Sequence, residues 1–65
     1  MKLELNGEWQ ETQATTLAEL LAQMDYGDAP VATARNGQFI RKQDRAATKL
    51  QPEDKIEILV PRQGG

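Results

Sequence analysis

Apolar and polar residues alternate from the start of the chain. In "KLEL", Leu3 and Leu5 fall on one side and Lys2 and Glu4 on the other, the period of a half-buried strand. Asn6-Gly7 follows at once, the strongest short-range signal for a tight hairpin turn. A return strand is expected from Trp9 to about Gln13, with the weak alternation of a sheet edge. At Thr16 the period lengthens. In "TLAELLAQM", Leu17, Leu20, Leu21 and Met24 recur at helical spacing, Thr16 and Glu19 have the capping-box spacing, and Gly27 is the expected stop. A helix of about three turns with one apolar stripe must lie across a sheet to bury that stripe.

After Pro30 the pattern returns to strands. "VATAR" reads as a strand, Asn36-Gly37 as a second hairpin turn and "QFIR" as a short return. Residues 42–49 are small or charged without clear period, so a loop or a single helical turn is expected. "LQPED" supplies a turn before the last strand, in which Ile56, Ile58 and Val60 are expected to face inward and Lys55 and Glu57 outward. Leu59 falls on the polar face beside the exit of the chain, which makes it a candidate for docking a partner. Pro61 has no N–H for a ladder, so the strand should end there. The expected fold class is α+β. It is a β-grasp, ubiquitin-like arrangement: a mixed sheet of four to five strands, the first and last parallel beneath one packed helix. Residues 1–65 are expected to form one domain, with 61–65 as a flexible tail.

The composition narrows the chemistry. The 65 residues include no cysteine and no histidine, which removes the thiol nucleophile, the commonest general base and the commonest metal ligand. "DYGD" and "PED" lack the ligand run of a calcium loop. The remaining carboxylates and hydroxyls are dispersed, so an enzyme in its own right is the least expected class and no metal or cofactor is expected on the chain. No apolar run approaches the ~18 residues of a membrane span, and "MKLELNGE" lacks a signal-peptide core. The expectation is a soluble cytoplasmic protein with no membrane contact.

A net charge of −2 argues against nucleic-acid binding, and Trp9, Tyr26 and Phe39 are too few and scattered to stack bases. They are assigned to packing. The charges are unevenly placed, with Arg35, Arg41, Lys42, Arg45 and Lys49 set against one acid, Asp44. That asymmetry either orients a protein partner or is an ordinary solvated face.

The chain closes on "RQGG". Gly65 carries its α-carboxylate on a carbon without a side chain, and Gly64 imposes no Cβ beside it. Such a tail can thread a channel too narrow for any side chain and deliver its carboxylate to another protein's active site. A frayed terminus would also tolerate glycine. At the end of a β-grasp chain of this size, however, the pair points to function.

"MKLELNGE", "TLAELLAQM", "VATARNGQFIRK" and "LQPEDKIEILVPRQGG" together resemble the ThiS family of bacterial sulfur carriers in thiamine biosynthesis, over essentially the whole chain. The chain departs from the family pattern at Arg62, where an apolar residue is common, and in "FIRK", which often holds a proline. The resemblance implies that a ThiF-type adenylyltransferase joins the Gly65 carboxylate to AMP, with the ATP and magnesium belonging to that partner. Sulfur from a donor protein then leaves a thiocarboxylate on Gly65, for use by a ThiG-type thiazole synthase. It places Gly64, Gln63 and Arg62 in the partner's channel and Leu59 at the docking surface. A MoaD-like carrier for molybdopterin synthesis and a ubiquitin-like protein modifier remain the alternatives, because all three begin with an activated terminal carboxylate.

Overall fold

The computed structural model describes residues 1–27 and 29–61. Strands β1 (Lys2–Leu5), β2 (Glu8–Glu11), β3 (Ala32–Arg35), β4 (Gln38–Ile40) and β5 (Lys55–Leu59) form one sheet in the order β2-β1-β5-β3-β4. The first and last strands are parallel neighbours and every other pairing is antiparallel. Helix α1 (Leu17–Gln23) and a 3₁₀ helix (Lys42–Ala47) complete the fold. This is the expected mixed β-grasp sheet, and β5 lies at its centre.

Both hairpins turn on Asn-Gly. Asn6 and Gly7 have φ of 50° and 86°, and Asn36 and Gly37 have 52° and 83°, so both central residues of each turn are left-handed. That is the turn whose twist matches the flanking strands. A Cβ on either glycine would meet no atom within 4 Å, so backbone angle rather than space calls for glycine there.

Helix α1 begins as its capping residues dictate. The Thr16 hydroxyl accepts the Glu19 N–H at 3.2 Å. The Glu19 carboxylate reaches one residue further back than a capping box requires, to the Thr15 N–H at 2.7 Å and the Thr15 hydroxyl at 2.8 Å. Those bonds, the N–H first, hold the Glu19 carboxyl below its ordinary range despite a small opposing effect of burial. The helix stops earlier than expected. Asp25, not Gly27, takes the left-handed angle, at φ 64°. The Asp25 N–H then bonds the Ala22 carbonyl and the Tyr26 N–H the Leu21 carbonyl, which terminates the helix while Tyr26 packs on the core.

The core follows the two periods. Leu3 and Leu5 of β1 and Ile56 and Ile58 of β5 meet Leu17, Leu20 and Leu21 of α1, closed by Ala14 and Leu50. Met24, expected on the helical stripe, lies half out at the helix end. Val60, expected inward, is 59% exposed, because the β3–β5 ladder has its last rung at Ala32 and Leu59. The return strand covers Glu8–Glu11 rather than Trp9–Gln13, and Thr12 turns inward where its hydroxyl donates to Gln23.

Residues 42–47 form the 3₁₀ helix because Arg45 is drawn inside. It donates from Nε to the Thr33 hydroxyl at 3.1 Å and from Nη2 to the Val31 carbonyl at 2.7 Å. The basic cluster is reduced but not removed, since Lys42 and Lys49 stay exposed. Arg45 is buried, Arg35 pairs with Asp54 at 2.7 Å, and Arg41 pairs with Asp44 at 3.2 Å.

Candidate functional site

A sheet has two faces, and the pleat assigns each residue to one of them. Since Ile56 and Ile58 of β5 are buried under α1, Lys55, Glu57 and Leu59 lie on the outer face. Register carries this across the neighbouring strands. Ala32 pairs with Leu59, Ala34 with Glu57, and Phe39 with Ala34 from the other side. Leu59 and Phe39 are 63% and 67% exposed, and the short side chains of Ala32 and Ala34 lie between them. The result is an apolar corner continued by the exposed Val60 and Pro61 at the end of β5.

Leu59 is exposed on the outer face, where the alternation along β5 puts it. Phe39 was not assigned to the site, although alternation in "QFI" puts it opposite Ile40, which packs on the core. Val60 was missed because alternation was extended beyond the last rung of the ladder. Trp9, the other large exposed aromatic residue of the outer face, sits on edge strand β2 opposite Glu4, with Lys2 Nζ 5.7 Å from its ring centre. The two aromatic residues therefore occupy opposite edge strands of the sheet. Arg62, Gln63, Gly64 and Gly65, the expected tail positions, lie outside the described residues.

Two carboxylates, Asp54 and Glu19, are held by fixed hydrogen-bond donors. Burial alone would push Asp54 up. The Arg35 guanidinium, the Asn36 amide at 3.0 Å and the Gln51 N–H at 2.8 Å outweigh that and hold its carboxyl below the ordinary range. Glu19 is spent on the helix cap. A carboxylate saturated by fixed donors has no spare basicity for proton transfer. An open cleft of about 270 Å³ lies between β1–β2 and the end of α1, lined in part by Asn6, Glu8, Met24 and Tyr26. Among the described residues no group of three or more acids could hold a metal ion, and no helix is long and apolar enough to cross a membrane.

Fold and corner together define a β-grasp protein of the ubiquitin-like class, whose central strand ends beside an exposed apolar surface. The chain belongs to the ThiS family, whose model matches residues 2–65. Among solved structures it is similar to the crystal structure of the thiamine biosynthesis protein ThiS from Geobacter metallireducens. The TM-score is 0.84 at 26% identity, with 100% of each chain covered. No curated protein matches it.

Proposed function

We propose that this chain is a sulfur carrier of thiamine biosynthesis and that the Gly65 carboxylate is the group that carries the sulfur. The supporting observation is a family match that runs to residue 65 and so includes the Gly-Gly end, on a chain whose central strand leads to that end. A carboxylate is a poor electrophile, because its charge is delocalised and oxide is a poor leaving group. A ThiF-type partner would couple it to AMP with release of pyrophosphate, using magnesium to neutralise the phosphate charge. A sulfur nucleophile from a donor protein then displaces AMP. With sulfide the product is the thiocarboxylate directly, and with a persulfide a second thiol completes the release. A ThiG-type thiazole synthase takes the sulfur.

In this reading the chain is substrate and carrier, and catalysis belongs to its partners. Leu59, with Phe39 beside it, forms the docking face. Arg62 and Gln63 occupy the partner's channel, and Gly64 and Gly65 reach its reacting centre. The test is intact mass after incubation with ATP, magnesium, a sulfide or persulfide source and the ThiF-type partner. The expected result is a gain of about 16 Da on Gly65, one oxygen exchanged for sulfur. Removal of Gly64 and Gly65 should abolish it without changing the unfolding midpoint. An unchanged mass with a partner active on its own carrier overturns the reading, and tail-bearing lysines in cell extracts would instead establish a protein modifier.

A further inference from the structure

The parallel ladder between β1 and β5 ends in an unusual way. The Asn6 N–H makes a normal rung to the Ile56 carbonyl at 2.9 Å. In a regular parallel ladder the Asn6 carbonyl would next accept the Ile58 N–H, and the residue two further on would donate to the Ile58 carbonyl. Neither can happen, because the chain turns away at Asn6 with φ 50°. The side chain supplies both rungs instead. Asn6 Oδ1 accepts the Ile58 N–H at 2.8 Å, and Asn6 Nδ2 donates to the Ile58 carbonyl at 3.2 Å.

The position of this clamp matters. Ile58 is the last residue of β5 held from the β1 side, and Leu59 pairing with Ala32 is the last rung on the β3 side. Everything from Pro61 to the terminal carboxylate is five residues, a reach of at most ~17 Å. We infer that Asn6 is a positioning residue for the carrier's tail: its amide fixes the end of β5 and so sets the direction in which the terminal carboxylate is presented. The inference rests on the carrier reading above. A partner that grips the corner around Leu59 receives the carboxylate within a narrow range only if the strand beneath that corner is held. Loosening residues 58–60 lengthens the stretch between the last held residue and the terminal carboxylate from five residues to eight, which by itself would about halve the effective concentration of that carboxylate, with the loss of direction in addition.

A built-in control exists at the other end of the same strand. Asn36 has the same turn geometry, its N–H bonds the Lys55 carbonyl at 2.7 Å, and its Oδ1 accepts the Lys55 N–H at 2.9 Å. It too makes two side-chain bonds at β5, the second to Asp54, but far from the exit. Asn6→Gly and Asn36→Gly each keep the left-handed turn and remove two side-chain bonds.

With the ThiF-type partner, Asn6→Gly should lower kcat for activation of the terminal carboxylate about three-fold or more with KM little changed, while Asn36→Gly leaves kcat as it is. Asn6→Asp, which keeps the acceptor for the Ile58 N–H and loses the donor, should fall between. Backbone order parameters at Leu59 and Val60 in the free protein should drop in Asn6→Gly and not in Asn36→Gly. Equal kcat in the two glycine variants, measured where both are folded, overturns the inference. Unchanged order at Leu59 and Val60 overturns it as well, whatever becomes of the sulfur chemistry. Failure of the wild-type chain to be activated strikes the carrier reading alone, and the order parameters then decide the clamp.

Discussion

The two ends of β5 are built from different chemistry. Where the strand begins, Asp54 is buried and accepts from Arg35, Asn36 and the Gln51 N–H, so that charge and hydrogen bonds anchor the chain on three sides. Where it ends, Leu59, Val60 and Pro61 are exposed, and one side-chain amide with one last rung hold what remains. Polar atoms are spent inside at the first end and apolar atoms are left outside at the second. Burying a carboxylate is worthwhile only if donors replace its water, whereas apolar side chains grouped in the open lower the free energy when a partner covers them. The first end is therefore built for stability, and the second leaves open the apolar surface on which the proposed docking depends.

The sharpest way to break this contrast is Asp54→Ala. It leaves the Arg35 guanidinium and the Asn36 amide without their acceptor and should cost about 3 kcal/mol, a discounted figure because Arg35 is partly exposed. A chain of this size has little more to lose. Urea unfolding followed by circular dichroism should show most of the stability gone. The same carboxyl predicts the response to acid. Its pKa is lowered in the folded state, so its contribution is complete above the unfolded value of about 3.9 and is lost as pH falls through the folded value. Asp54→Asn should flatten that part of the curve of urea midpoint against pH, and a slope as steep as wild type would mean that other carboxylates govern it.

At the other end the expected effect moves from stability to affinity. Leu59→Ala should weaken binding to the ThiF-type partner about ten-fold, while the unfolding free energy stays within about 0.5 kcal/mol. Titration calorimetry and thermal unfolding on one sample separate the two, and an unfolding loss larger than the binding loss would abolish the contrast.

The smallest effect concerns the turn that feeds β5. Pro52 and Glu53 occupy its centre, the Asp54 N–H closes it on the Gln51 carbonyl at 3.1 Å, and Glu53 sits at φ 70° where glycine is usual. Glu53→Gly should stabilise by about 0.5 kcal/mol, the relief of the left-handed angle less the entropy of glycine. Activation of the tail should be unchanged.

The elements that were legible in advance depend on near neighbours. Asn-Gly states its turn within two residues, Thr16 and Glu19 state a helix start within four, and the leucines of α1 state its buried face within two turns. The failures occur where a distant group decides. Asp25 rather than Gly27 ends α1 because Tyr26 has the core to pack against. Residues 42–47 have no amphipathic period because their one buried member is an arginine, acceptable there only because Thr33 and Val31 supply oxygens. Val60 faces solvent because β3 begins at Ala32 and offers no further rung.

By itself the sequence determined the order of strands, turns and helix and most of the apolar residues of the core. Only the tertiary structure decided that Asp54 would gather Arg35 from 19 residues away and that Asn6 would take both polar groups of Ile58 from 52 residues away. The division has a physical reason. Turn angles, caps and amphipathic periods are set by atoms a few bonds apart and act in almost any context. A buried carboxylate or a borrowed ladder rung becomes favourable only after the sheet has excluded water and brought its partners within reach.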